Sequence, residues 1–475
     1  MNSRADAWAG QVNCGDAAMA YDGRWRFITT ALIWMLVVFM IVPEGFDYAT
    51  VGSDIPMTGS ALSRIVWLSL IGVGGLIVIW RVSIVWLLLA ELNPFLLLFV
   101  FLAITSIAWS IEPRFTVRRM IRIGAIVLDG LAFAVVAWET RRFQNVLRPI
   151  LTLMLAASVV FVAILPKLGI EQGTSVELAG AWHGLATQKN GFGSIAGITL
   201  LLWLHAGLTR ESRRWWVLLG MVLAFLCLIE SRSSTSLMAT AFAAFFMLLL
   251  LRSPDALRPY MPFIVGSFAV ALILYSLAML QLIPGLSLVL GPMMALTGKD
   301  ATFTGRTDIW QIITAHISKE PLLGSGYGAY WIGVDPRSPS YEMREKLYFY
   351  PTEAHNGYLD VTNDLGILGA VCLLLFLIVF LRQSVRLMTV DRGQAALYLS
   401  LFFEQMIANL SESRWFNVMC IEWVIMTLAT VAVARGWLEV RFQAYFVVPR
   451  PSLYPAGEQP DRPLAPIRAQ HDVIR

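Results

Sequence analysis

Charge is what this chain has least of: Asp, Glu, Lys and Arg together make up 14% of its 475 residues, against 57% hydrophobic residues. A mean hydropathy of +0.66 lies far outside the balance of a soluble globular domain and places the chain in the membrane. Basic residues are spread between the apolar runs, and the net charge is only +4, so no patch for nucleic acid is present. Cysteine is scarce too. Cys14, Cys227, Cys372 and Cys420 are isolated, which excludes a disulfide framework and any zinc spacing. There is no Walker loop, so the chain is not expected to hydrolyse ATP. The acidic residues Glu44, Asp47 and Asp54 are not the adjacent pair of a divalent-metal site, and neither a metal nor a cofactor is expected.

What is there is a succession of apolar runs of spanning length, each roughly 17 to 25 residues with its flanks. They are placed near 27–43, 62–80, 83–109, 119–138, 148–166, 190–208, 215–230, 236–251, 261–280, 365–381, 394–410 and 418–434. The fold class expected is an all-α polytopic membrane protein of about 12 transmembrane helices. The first run, after Arg24 and Arg26, lacks a small-residue cleavage site and is read as a retained span. Asn93-Pro94 interrupts the third, because proline removes a backbone donor and clashes with the preceding turn. It is one kinked span or a short pair.

Basic residues orient these spans. A cytoplasmic N-terminus puts Arg141, Arg142, Arg148, Arg210, Arg213, Arg214, Arg252, Arg258, Arg382, Arg386 and Arg392 inside, and only Lys167, Lys189, Arg232 and Arg414 in the opposite short loops beyond residue 140. Both termini are then cytoplasmic, and one long loop between spans 9 and 10 lies outside. The organisation expected is a cytoplasmic segment 1–26, helices over 27–280, the outer loop over 281–364, helices over 365–434 and a proline-rich disordered tail over 435–475. Within the loop, Gly305-Arg306-Thr307-Asp308 before IWQIITAHI predicts a capped helix with an apolar face, and GSGYGAY, 324–330, a turn of close backbone approach.

Four outer features run against bland expectation. Arg232, in ESRSST, is either a headgroup anchor or a contact for an anionic substrate. Arg306 could pair with Asp308 as an exposed bridge, or clamp a phosphate, since a guanidinium binds two oxygens at once. His355, in PTEAHNGYLD, is a capping or surface histidine, or a base oriented by Glu353 or Asp360. Arg114, Arg118, Arg119 and Arg122 crowd WSIEPRFTVRR and its continuation, with Arg118 and Arg122 on one helix face. That cluster binds the diphosphate of a lipid carrier, or else the local topology is reversed.

The order ESRSS, TGRTDIW, PLLGSGYGAY, EAHNGYLDVTNDLGILG resembles the O-antigen ligase and Wzy-type polymerase family of bacterial envelope polysaccharide synthesis. AWSIEPRFTVRR and HGLATQKNGFG are similar to the family's tryptophan-serine-arginine and lysine-asparagine-glycine segments. The resemblance runs from about residue 90 to 370. It implies a multi-pass glycosyltransferase of the inner membrane facing the periplasm, with undecaprenyl-diphosphate-linked oligosaccharide as donor. Arg232 and Arg306 match the arginines that hold the donor diphosphate, and His355 matches the loop histidine. Lys189 and Asn190 match the lysine-asparagine segment, whose role stays open. Glu353, Asn356, Arg114, Arg118 and Arg122 complete the expected substrate-binding set. An exopolysaccharide-type polymerase is favoured, with a ligase acting on lipid A core or another acceptor as the alternative. Membrane lipids surround the chain, and a chain-length regulator and a flippase are expected partners through the resemblance. A lipid-linked sugar transporter or flippase is the reading from another class; transporters place polar residues mid-span and show repeated halves. A purely structural scaffold is a further reading, and leaves the charges placed against topology unexplained.

Overall fold

Long apolar runs without alternation leave a backbone in hydrocarbon one local way to satisfy its own N–H and C=O groups, the α-helix. A computed structural model describes residues 23–43, 48, 61–172, 179–279, 306–332, 340–347 and 351–441. The expectations for Cys14, Glu44, Asp47, Asp54, Gly305 and the chain beyond Arg441 fall outside them. The described helices are α1 (Gly23–Ile41), α2 (Ala61–Trp80), α3 (Val82–Glu91), α4 (Pro94–Thr105), α5 (Pro113–Val135), α6 (Arg142–Ile164), α7 (Lys189–Leu208), α8 (Arg214–Glu230), α9 (Ser234–Arg252), α10 (Met261–Met279), α11 (Arg306–Ile317), α12 (Tyr341–Leu347), α13 (Gly357–Leu387), α14 (Arg392–Ala408) and α15 (Ile421–Arg441). The described chain is all-α, with one isolated bridge between Ile170 and Trp182.

Eight of these helices are long and apolar enough to cross a membrane, and nine if the pair α3 and α4 is one span. That pair is broken at Asn93-Pro94 and bent by 106°. Asn93 caps α4 through Phe95 N–H and ties it to α13 through Nδ2 to the Phe376 carbonyl at 2.9 Å. The other segments placed as spans are also helical: α8 and α14 have 17 residues each, and α5 carries four arginines in its first turns. The long last helix continues past Ala434 to Arg441. It is also the central post of the bundle, with 89% of its apolar window buried against 33% for α1 and for α2. Cys227 and Cys372 are buried free thiols, and Cys420 is a half-buried one.

α13 has a break where the outer loop was expected to end. Leu365 and Gly366 leave helical geometry, with Gly366 at φ 62°. Breaking a helix orphans backbone groups that must find other partners. The Asn363 and Asp364 carbonyls accept from Ser325 N–H (3.0 Å) and Gly326 N–H (2.9 Å), and Ile367 N–H donates to the Pro321 carbonyl at 2.8 Å. The glycine-rich turn therefore replaces the missing rungs of α13. It reaches them because Gly324, Gly326 and Gly328 all have positive φ. The WSIEPR segment closes over the same turn: Trp109 Nε1 donates to the Leu323 carbonyl, and Ile111 N–H to the Ser325 carbonyl, both at 3.0 Å.

This accounting predicts that Gly366→Ala destabilises the protein by about 1 to 3 kcal/mol, since a Cβ there would stand 2.2 Å from the Leu322 carbonyl oxygen. Gly72→Ala, where nothing lies within 4 Å, is the control and should melt with the parent. Thermal unfolding in detergent checks both, and equal melting of the two variants would contradict the role given to Gly366.

Candidate active site

The site grows from helix ends that meet on one side of the bundle. α7 begins at Lys189 and Asn190. α9 begins after the ESRSST turn, with Ser233 as its cap. Gly193 lets these two starts approach, because a Cβ would lie 2.7 Å from Ser231 Oγ. α11 begins at Arg306, and buries Ile309, Trp310 and Ile313 on one face. Its Trp310 Nε1 donates to the Ala354 carbonyl at 2.9 Å, which fixes the turn ahead of α13. Asn356 caps α13 by accepting from the Tyr358 and Leu359 N–H groups.

Between α14 and α15 lies a tight turn, SESRW. Asn409 Oδ1 accepts from the N–H groups of Arg414 and Trp415, both at 2.8 Å. The Gly357 N–H donates to the Asn409 and Glu412 carbonyls at 3.1 and 3.0 Å, and the Asn356 N–H to Ser413 Oγ at 3.1 Å. The histidine turn and the SESRW turn are thus laced together through main chain.

Glu412 is where the predicted residues converge. Its Oε1 accepts from Asn190 Nδ2 at 2.7 Å and from Arg306 Nη2 at 2.9 Å. Its Oε2 lies 3.7 Å from His355 Nδ1 and 3.9 Å from Arg414 Nη2. Glu353 Oε1 approaches the same His355 nitrogen at 3.1 Å. Burial disfavours a charged imidazole, but hydrogen bonding and charge from Glu353 and Glu412 outweigh it and push His355 up to about 10. Burial would raise the Glu412 carboxyl, yet His355, Arg414 and Arg306 hold it well below the usual range. Both carboxylates meet Nδ1, so Nε2 is the ring's basic atom once the extra proton leaves.

The expected residues separate into those that join this network and those that do not. Asn190, Arg306, Glu353 and His355 join it. Arg306 pairs with Glu412, where Asp308 was the alternative, and Glu353 orients the histidine. Asp360 instead accepts from Trp331 Nε1 at 2.7 Å and Ala354 N–H at 3.0 Å. The Asn356 side chain is committed to capping. Lys189 stands next to Asn190, half-buried. Arg232 is exposed, has φ 48°, and donates to the Ala179 carbonyl at 2.7 Å; its turn reaches the site through Thr235 Oγ1, 2.9 Å from Ser411 Oγ. The contacts described for the α5 arginines are with other groups. Arg114 is exposed at the start of α5, Arg118 lies over the Phe115 ring, and Arg122 reaches Met419 Sδ and the Trp67 ring. Arg119 lies behind Gly328, where a Cβ would meet its side chain.

A profile of the O-antigen ligase family matches residues 219–374, the stretch that contains Arg232, Arg306 and His355. The exopolysaccharide production protein ExoQ of Rhizobium meliloti (strain 1021) is 27% identical over 311 residues, covering 63% of this chain and 67% of that protein. Over this stretch the chain is similar to the O-antigen ligase and Wzy-type family. That similarity, together with the apolar helices, supports a multi-pass membrane protein with a polysaccharide polymerase or ligase role. The match to the family profile ends before Glu412 and Arg414 and begins after Asn190, so three members of this network lie outside it.

Glu412 and Arg414 were not foreseen as site residues. The signal available was small: opposite charges two residues apart in SESR, in a short polar interval between apolar runs. Glu353, His355 and Glu412 offer ligand atoms within 4.8 Å of one another, a set that could in principle take a metal. Two guanidinium groups flank the shared carboxylate, and one of its oxygens already accepts two hydrogen bonds. That arrangement suits an ion-pair network better than a dication.

Glu412→Ala should therefore cost about 3 kcal/mol or more, by leaving buried cations without their anion. Arg232→Ala, at an exposed position, should stay within about 0.5 kcal/mol. Denaturation of both purified variants in one detergent checks this, and equal stability would remove Glu412 from its central place.

Proposed function

We propose that this protein is a polymerase that joins undecaprenyl-diphosphate-linked oligosaccharide repeats into exopolysaccharide at the periplasmic face of the inner membrane. The observation that carries the reading is His355 Nδ1 facing two carboxylates, Glu353 at 3.1 Å and Glu412 at 3.7 Å, the second of which also pairs with Arg306. A sugar hydroxyl is a weak nucleophile and needs a base as it attacks. His355 Nε2 takes the acceptor proton while Glu353 and Glu412 stabilise the imidazolium that forms. The acceptor oxygen bonds to the anomeric carbon of the donor from the face opposite the diphosphate. The bond from that carbon to the diphosphate oxygen breaks, and its electron pair leaves with the lipid diphosphate. Arg306, together with Arg232 at the neighbouring turn, offsets the charge that develops there. Direct displacement of this kind inverts the anomeric centre.

In the resting site Glu412 occupies Arg306. A carboxylate is a fair mimic of a phosphate edge, so the arginine is held in place until the donor competes for it. Lys189 and Asn190, at the start of α7, line the same side. A flippase would supply the donor and a chain-length regulator would act on the product, as the family resemblance implies. Exopolysaccharide production, in the words of the relative's name, favours a polymerase over a ligase to lipid A core.

Incubation of purified protein with synthetic undecaprenyl-diphosphate repeat units tests the reading. A ladder of longer oligosaccharides, formed in chelator, is expected. Transfer that appears only when lipid A core or another acceptor is supplied would make the protein a ligase, and activity abolished by chelator and restored by magnesium would contradict metal independence. His355→Asn, a residue tolerant of the φ of 51° found there, should lower turnover by about 100-fold or more while donor binding persists. Arg306→Ala should weaken both.

The pH profile has a definite sign. A base works when neutral, and His355 holds its proton up to about 10, so kcat/KM should rise with pH above the ordinary histidine range near 6.5. If His355 served only as a fixed cation, activity would instead stay level over that interval and fall only as the pH approaches about 10.

A further inference from the structure

Glu412 is itself held from behind. Arg414 Nη2 stands 3.9 Å from Glu412 Oε2, and Arg414 Nη1 pairs with Glu422 Oε1. Arg414 is 5% exposed and Glu422 fully buried. Glu422 lies in the first turn of α15, the most enclosed helix of the bundle, and the Arg414 backbone is pinned by Asn409. One guanidinium therefore serves two carboxylates, of which only Glu412 touches His355. We propose that Arg414, shared between Glu412 and Glu422, is a positioning residue that sets how much of the Glu412 charge is left for His355 and so governs how firmly the ring keeps its proton.

This rests on the catalytic part assigned to His355 above. The groups facing the ring are Glu353 from its own turn and Glu412 from the α14–α15 turn. Arg306 of α11 and Asn190 of α7 act on the other oxygen of Glu412. The titratable groups near Glu422 include Arg414 and, from α14, the buried Glu404. Two carboxylates compete for Arg414. While Glu422 draws it inward, Glu412 is only partly neutralised and keeps its pull on the imidazolium. Without the Glu422 charge, the guanidinium can turn fully to Glu412, and the ring lets its proton go more easily.

Diethyl pyrocarbonate tests this without requiring turnover, because it acylates neutral imidazole and spares imidazolium. The His355 side chain is 24% exposed, and the modified peptide is counted by mass spectrometry across a pH series on the full chain in detergent. Glu422→Gln keeps shape and an acceptor for Arg414 while removing the charge; its reaction midpoint at His355 should lie about one pH unit below wild type, a tenfold weaker hold on the proton. An unchanged or higher midpoint would overturn the proposal. The pair Arg414→Gln with Glu422→Gln removes both partners together, which guards against a variant that fails to fold with one buried charge left alone. Its midpoint should be at or above wild type, whereas a midpoint as low as that of Glu422→Gln alone would show that Arg414 has no part. Turnover is followed in parallel. If the midpoints shift as stated and the rate profile does not follow them, Arg414 keeps its role and the base assignment to His355 falls.

Discussion

A carboxylate taken out of water at the end of a membrane bundle survives as an anion only if cations and donors are brought to it. Glu412 is 2% exposed, and the arrangement around it follows from that one demand. Asn190 comes from α7, Arg306 from α11, His355 from the turn before α13 and Arg414 from its own turn. Segments more than two hundred residues apart in sequence are thereby held at one point. No main-chain ladder could do this, since each helix satisfies its backbone internally and leaves only its ends free to be recruited.

The ends are tied before the side chains meet. His355 sits at φ 51° and Arg232 at φ 48°, conformations that cost energy for residues other than glycine and persist only where the surroundings fix them. For His355 those surroundings are Trp310 against the Ala354 carbonyl, Asp360 against the Ala354 N–H, and Ser413 against the Asn356 N–H. Each bond constrains a residue next to the histidine rather than the imidazole itself. The ring is aimed by its backbone, and its chemistry is then set by Glu353 and Glu412. The break in α13 serves the same end. With its carbonyls satisfied by the glycine-rich turn, the first two turns of α13 can take a direction the remainder of the helix does not share.

Much of this was legible in the sequence because helices in a membrane announce themselves by composition, and every apolar run found there lies on a helix. Asn93-Pro94 marked a real break for the reason given, the missing donor of proline. The glycines of GSGYGAY marked a turn because only close backbone approach needs three of them so near together. Glu412 stayed hidden because what makes it central is convergence from distant helices, which no local pattern records. Asn356 was over-read for the converse reason: a polar residue beside a reactive histidine looks like a ligand contact, while its position at a helix start gives its side chain a capping duty. The arginine cluster on α5 was read as one unit from its spacing, yet Arg118 and Arg122 lie over different rings, and Arg119 lies behind Gly328.

Charge balance gives the resting site its character. Arg306, Arg414 and protonated His355 stand against Glu353, Glu412 and Glu422, so the network is neutral before any substrate arrives. A diphosphate adds negative charge that this set alone does not offset, and it must take Arg306 from Glu412 to bind there. Loss of Arg306 leaves Glu412 with more charge to share between His355 and Arg414, and the imidazolium is then held more firmly in the donor complex than in the free protein. A neutral base in that complex therefore needs a further cation near the diphosphate. Arg232 suits this need: it is exposed at the adjoining turn, and its donor contact is to a neutral carbonyl, so moving it to phosphate breaks no ion pair. The two arginines are in this way unequal, one held ready by a carboxylate and the other free of that competition.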